Sequence, residues 1–277
     1  MSLKNQVVIL TGAGGVLCGG FAKHLASLGA KVALLDLKKE NCDTFVNEIT
    51  KAGGEAKAYG CDILDVDAVK DVEQQIVKDF GGYHTLINGA GGNHPKGNTT
   101  KETYEKGDEN DPNLITFFNI DPNNIDFVFR LNFTGTFIPC QVFSRGMLNK
   151  KGCSILNISS MNALRPLTKI PAYSAAKAAV SNFTQWLAVH LAPAGIRVNA
   201  MAPGFFETAQ NAKLLRTDSG ELTPRAHKIL SHTPQGKFGV TEDLYGTLVW
   251  LCDSELSNFV TGITVPIDGG FSAYSGV

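Results

Sequence analysis

Seven short strand-like runs, helical patterns between them and a glycine-rich turn near the N-terminus predict an α/β fold. The runs lie near residues 6–11, 31–36, 55–60, 84–89, 152–159, 195–201 and 262–267. Strands separated by helices pair in parallel, because each crossover helix returns the chain to the same edge of the sheet. The expectation is one doubly wound domain over residues 1–277, its seven-stranded parallel sheet flanked by helices on both faces. With 277 residues, 43% of them hydrophobic, the chain can fill one large core.

The elements in order also show where a ligand gathers. Gln6 to Leu10 form the first strand, Thr11-Gly12-Ala13-Gly14-Gly15 the turn, and Val16 to Leu28 a helix. This Rossmann-type unit aims free backbone N–H groups and the positive helix end at one point, which suits a pyrophosphate. Gly12, Gly15, Val16 and Leu17 are its candidate contacts. The second strand ends at Asp36, placed to accept from two ribose hydroxyls and to repel a 2′-phosphate. NAD is therefore expected over NADP. Lys38 and Lys39 follow as solvated residues. Later strands end at Asp62, at Asn88 to Gly91, at Ser160 and at Pro203, so one cleft collects every motif. Asp62 could equally cap a helix.

Tyr173-Ser174-Ala175-Ala176-Lys177 carries the chemistry, with Ser160 thirteen residues before the tyrosine. The alanines favour a helix, so Tyr173 and Lys177 stand at i and i+4 on one face. A phenol titrates near ~10, and a close ammonium would bring it toward neutral pH as a general acid or base. Alone, such a pair is an ordinary stem contact; its place at the shared cleft raises it.

Composition excludes several classes. A net charge of −1 leaves no electrostatic footprint for nucleic acid or an anionic membrane. No apolar stretch reaches membrane-spanning length, and Lys4 leads at once into a strand rather than a secretory signal. Six scattered cysteines without CxxC spacing predict reduced buried thiols, no metal site and a cytoplasmic protein. Two long loops, 92–122 and 205–239, leave strand ends on the ligand side and read as substrate loops, with the acidic part at 102–111 solvated or mobile. Asn93, His94, Asn162, Arg165, Lys169 and Arg216 are polar candidates for holding a small-molecule substrate.

From about residue 5 to its end the chain resembles the classical short-chain dehydrogenase/reductase family. The matching pieces are Thr11-Gly12, Asp36, Cys61-Asp62-Ile63, Asn88-Gly89-Ala90-Gly91, Asn132, Ile158-Ser159-Ser160, Tyr173 with Lys177, and Pro203-Gly204. Stretches 159–163, 202–206 and 268–277 resemble members acting on sugar acids. The resemblance implies exchange of a secondary alcohol and a ketone with a nicotinamide cofactor. Tyr173 would then move the proton, Ser160 orient the carbonyl, Lys177 lower the tyrosine pKa and hold a ribose, and Asn132 support a water chain. Asp62 and Ile63 would border the adenine. Asn88, Ala90 and Gly91 would pass beneath a ribose, and Thr208 would reach the carboxamide or diphosphate. Without the resemblance, Asn132 reads as a helix-bending residue. The family also implies a homotetramer or homodimer; the apolar tail from Phe271 could dock on a neighbouring subunit or, more simply, pack against its own domain. Val16 and Cys18 stand where the family has glycines, which implies a changed turn. A relative acting on another polyol, keto acid or 3-oxoacyl group and a non-catalytic nucleotide binder are the competing readings; the intact Ser160, Tyr173 and Lys177 set argues against the binder.

Overall fold

Strand β1 (Val7–Thr11) is buried along its whole length, as an unbroken apolar run is at the centre of a parallel sheet. In the computed structural model, which describes residues 3–208 and 212–276, it pairs with β2 (Lys31–Asp36) on one side. Then follow β3 (Glu55–Gly60), β4 (Thr85–Asn88), β5 (Ser154–Ile158), β6 (Arg197–Pro203) and β7 (Thr264–Ile267). All pair in parallel, in the order β3-β2-β1-β4-β5-β6-β7. The order reverses between β1 and β4, which opens the crevice where such sheets take ligands. Register places Thr11 opposite both Leu35 and Asn88, and Asn88 opposite Asn157, so the motif-bearing strand ends share one edge.

The helices in chain order are α1 (Val16–Ser27), α2 (Asp43–Lys51), α3 (Val66–Phe80), α4 (Pro122–Phe129), α5 (Gly135–Met147), α6 (Pro171–Leu191), α7 (Ala212–Leu215), α8 (Pro224–Ser231), α9 (Tyr245–Cys252) and α10 (Ser254–Ser257). Side chains alternate across the sheet. Val8, Leu10, Val32 and Leu34 pack in one layer with Phe21 and Leu25 of α1 and Leu248 of α9. Val7, Ile9, Ala33 and Leu35 pack in the other with Val72 and Ile76 of α3, Phe143 of α5 and Phe183 of α6. Among the described residues no helix is long and apolar enough to cross a membrane.

Glycines trim the expected strands. Gly152 and Gly195 adopt left-handed φ values of 76° and 73°, so β5 and β6 begin only after them. The long loops are more folded than their composition implies. In the acidic stretch, Lys101 bonds Glu105 and Asp108, and Asp108 is buried, so this segment is an ion-paired turn and not simply solvated. In the second loop, Leu215, Ala226 and Ile229 build a small core with Phe205, Leu222 and Phe238.

Candidate active site

Helix α6 opens with Pro171 at its first position, and its second turn buries Lys177 under Tyr173. Lys177 Nζ donates to the Ile158 carbonyl at 2.7 Å and lies 5.7 Å from the centroid of the Tyr173 ring. Ser160 stands two residues past β5 and caps a short 3-10 turn, its Oγ accepting the Asn162 N–H at 3.2 Å. These residues meet at the ligand edge of the sheet.

The electrostatics differ from the simple expectation. Burial pushes the Tyr173 phenol above its ordinary value of 10.0, and a hydrogen bond from Ser160 opposes this only in part. Burial also brings Lys177 down to about 8. The ammonium lies by the ring and bonds a carbonyl, and burial dominates the phenol. Tyr173 rests as the protonated acid at neutral pH.

That depressed lysine predicts a pH effect. The native state gives up this proton near pH 8, while the unfolded chain keeps it to about 10.5. Where the unfolded state binds more protons, stability rises with pH, so Lys177 costs stability below pH 8 and progressively less above it. Urea unfolding of wild type and Lys177→Met at about pH 7 and pH 9 should show the variant gaining more at the lower pH. A constant difference between the two proteins would contradict the burial argument.

Asn132 lies on a π-helical turn, Arg130–Thr134, between α4 and α5. Its amide clamps one residue of the β4 loop. Oδ1 accepts the Gly92 N–H at 3.1 Å, while Nδ2 donates to the Gly92 carbonyl at 2.7 Å and the Val128 carbonyl at 2.8 Å. It therefore both bends the helix and reaches the site, and its side-chain bonds serve to position Gly92. A Cβ on Gly91 would come 2.6 Å from Asn132 Oδ1 and 3.2 Å from Lys177 Nζ, so the missing side chain keeps this part of the cleft open.

The glycine turn forms a cradle. Gly12 has φ +65°, and a Cβ there would lie 2.7 Å from Ala90 Cα, so glycine lets the β1 and β4 loops touch. Thr11 Oγ1 ties them by accepting the Gly89 and Ala90 N–H groups, both at 3.2 Å. Gly15 is the extended N-cap of α1 and offers no side-chain cap, which leaves the first turn for an anion. Val16 is the first helical residue and does not adopt a left-handed backbone. Leu17 packs partly on the core. Asp36 Oδ2 accepts the Gly14 N–H at 3.1 Å and Oδ1 accepts Asn41 Nδ2 at 2.7 Å, placing the acid beside the turn.

Cys18 has a steric explanation. A Cβ built on Gly89 would fall 2.0 Å from Cys18 Sγ but 3.6 Å from its Cβ. The thiol fills the space that glycine 89 leaves, and burial raises it to about 12, an inert group. Gly89→Ala should cost about 1–3 kcal/mol by overpacking, and Cys18→Ala in the same chain should recover most of it. Strictly additive losses in a double-mutant cycle would show that the two sites are independent.

Other candidates fall elsewhere. The Asn88 side chain points into the interior, donating to Asn157 Oδ1 at 2.9 Å and Cys140 Sγ at 3.1 Å, so only its backbone continues the loop toward the cleft. Asp62 is exposed and accepts the Leu64 N–H at 2.9 Å; the α3 cap is Asp65. Ile63 packs against Gly135. Gly204 follows Pro203 where a Cβ would meet Asp268 Cα at 2.6 Å, and the Thr208 carbonyl accepts the Ala212 N–H at 2.9 Å. Arg165 is exposed, its Nε donating to the Ser272 carbonyl at 2.9 Å, and Arg216 grips both Glu207 oxygens. Both guanidinium groups are engaged in holding the chain together. The tail packs on its own domain, Phe271 lying 5.3 Å from Phe205 between ring centroids. Asn41 escaped the sequence reading, since only its place five residues past Asp36 could have drawn attention to it.

Comparison with known proteins agrees with this geometry. Residues 6–219 match the family model described as short chain dehydrogenase. An uncharacterized oxidoreductase from Haemophilus influenzae is 54% identical over 276 residues, covering 100% of this chain and 96% of that one. The uncharacterized oxidoreductase UxuB of Bacillus subtilis is 50% identical, covering 100% and 98%. A Haemophilus crystal structure with bound NAD, provisionally named a D-mannonate oxidoreductase, superposes with a TM-score of 0.95 at 53% identity, covering 99% and 98%. On the strength of the matched model and these relatives, the chain belongs to the short-chain dehydrogenase family.

Proposed function

We propose that the protein is a cytoplasmic NAD-dependent oxidoreductase that interconverts D-mannonate and D-fructuronate. The observation that carries the chemistry is the convergence of Ser160, Tyr173 and buried Lys177 beside a glycine cradle that has Asp36 at its edge. The substrate reading draws on the 53% identical structure and its provisional name. The free, buried cysteines suit a reducing compartment.

The residues present fit NAD. The uncapped first turn of α1 with Gly12 and Gly15 would take the diphosphate, together with the backbone at Val16 and Leu17. Asp36 would accept from the adenosine ribose. Asp62, Ile63, Ala90, Gly91 and the Asn88 backbone would line the adenosine half, with Pro203, Gly204 and Thr208 at the nicotinamide half. When bound, the nicotinamide supplies or receives the hydride. Tyr173, resting as the acid, gives its proton to the carbonyl oxygen. The Ser160 hydroxyl bonds the same oxygen and orients it. Lys177, whose ammonium lies 5.7 Å from the centroid of the Tyr173 ring, would stabilise the phenolate left after proton transfer and hold a ribose hydroxyl. Asn132 fixes Gly92 so that the cleft wall holds its shape. Asn162 and the two long loops would close over the substrate, and assembly would be a homotetramer or homodimer.

A panel of D-fructuronate, other keto sugar acids, ketoses and 3-oxoacyl thioesters, assayed with NADH and NADPH, tests the reading. Fructuronate turnover with NADH supports it. Turnover of another class alone replaces the substrate, and silence across the panel removes the enzymatic reading.

A further inference from the structure

We propose that Lys169 binds the carboxylate of the substrate, an assignment that rests on the sugar-acid reading above. Three non-glycine residues adopt left-handed backbone among the described residues: Asn5 at φ 66°, Asn149 at 61° and Lys169 at 69°. Asparagine tolerates this region through its short polar side chain, whereas lysine has no such compensation. Glycine would hold the same turn without strain. Strained backbone of this kind is held in place by the surrounding structure and clusters at ligand-binding sites.

The position suits that use. Lys169 stands four residues before Tyr173, on the segment that starts at Ser160. Its carbonyl accepts the Thr99 N–H at 2.8 Å, which pins the base of the side chain between this segment and the loop after β4. The ammonium makes no hydrogen bond or ion pair to any described residue. Glu102 feels its charge, but that carboxyl is held below its usual range first by a hydrogen bond from Lys228 and only in lesser part by Lys169. Arg165 and Arg216, the competing cations, are engaged with Ser272 and Glu207. Lys169 is therefore an exposed cation four residues before Tyr173 in sequence, with no hydrogen bond or ion pair to any described residue.

D-fructuronate carries its ketone and its carboxylate near opposite ends of the chain. With the carbonyl oxygen between Ser160 and Tyr173, the far end needs a separate anion partner. A lysine on the same surface segment supplies it.

The test compares wild type, Lys169→Gly and Lys169→Arg on D-fructuronate and on D-fructose, which has a hydroxymethyl group in place of the carboxylate. Lys169→Gly should lower kcat/KM for the acid at least tenfold, chiefly through KM. Its turnover of fructose should stay at the wild-type level and its Tm should hold or rise. Lys169→Arg should keep most of the affinity for the acid. Unchanged kcat/KM for the acid in Lys169→Gly, or an equal loss on both substrates, would overturn the assignment while leaving the sugar-acid reading intact. A wild type inert toward every keto sugar acid would instead overturn that reading and this assignment together.

Discussion

Tyr173→Phe is expected to lower kcat for ketone reduction by about 10³-fold while changing NADH affinity by less than about twofold. The ring belongs to a small cluster with Val128, Ala172 and Ala176, and phenylalanine preserves that packing, so the fold should be unaffected. What disappears is the hydroxyl bonded to Ser160, which rests in its protonated form. Because burial holds the phenol above 10.0, the protein as built favours proton donation, and alcohol oxidation should need a higher pH than ketone reduction. Single-turnover kinetics with fluorescence titration of NADH separate the chemical step from binding. A variant within tenfold of wild type in kcat would remove Tyr173 as the proton donor.

Much of this site is local in sequence, which is why it could be read there. The i and i+4 spacing of Tyr173 and Lys177 needs only a helix, and the glycine turn needs only a strand before it and a helix after it. All seven strands lie near the runs expected from the sequence, and their ligand edge follows from parallel pairing. What was not legible depends on contacts between distant segments. Arg165 is held by Ser272, 107 residues away, so its sequence position between Ser160 and Tyr173 said little about its partner. Cys18 and Gly89 fit one another across two loops, and neither residue alone explains the other. The π-helical turn between α4 and α5 is set by how Asn132 meets the distant Gly92, a contact that sequence spacing does not reveal. The phenol's raised pKa is a matter of burial, and burial is set by the whole fold.

Asp36→Asn carries the second large effect, a swing of about 10² in the ratio of kcat/KM for NADH over NADPH. The substitution keeps the size of the side chain and removes its charge. In the native protein the two carboxylate oxygens are oriented by Gly14 and Asn41, which fixes the acid at the rim of the cradle. A carboxylate so placed accepts from ribose hydroxyls with charge-assisted bonds worth about 1.5–3 kcal/mol each. It also repels a 2′-phosphate, which would sit where those hydroxyls do. Asparagine weakens the first interaction and removes the second, so use of NADH should fall while use of NADPH rises. The amide can still accept from Gly14, and Tm measured alongside shows whether the turn has kept its shape. Parallel assays at saturating substrate decide the matter: an unchanged cofactor ratio in a variant of normal Tm would mean that selectivity resides elsewhere than in the charge of Asp36.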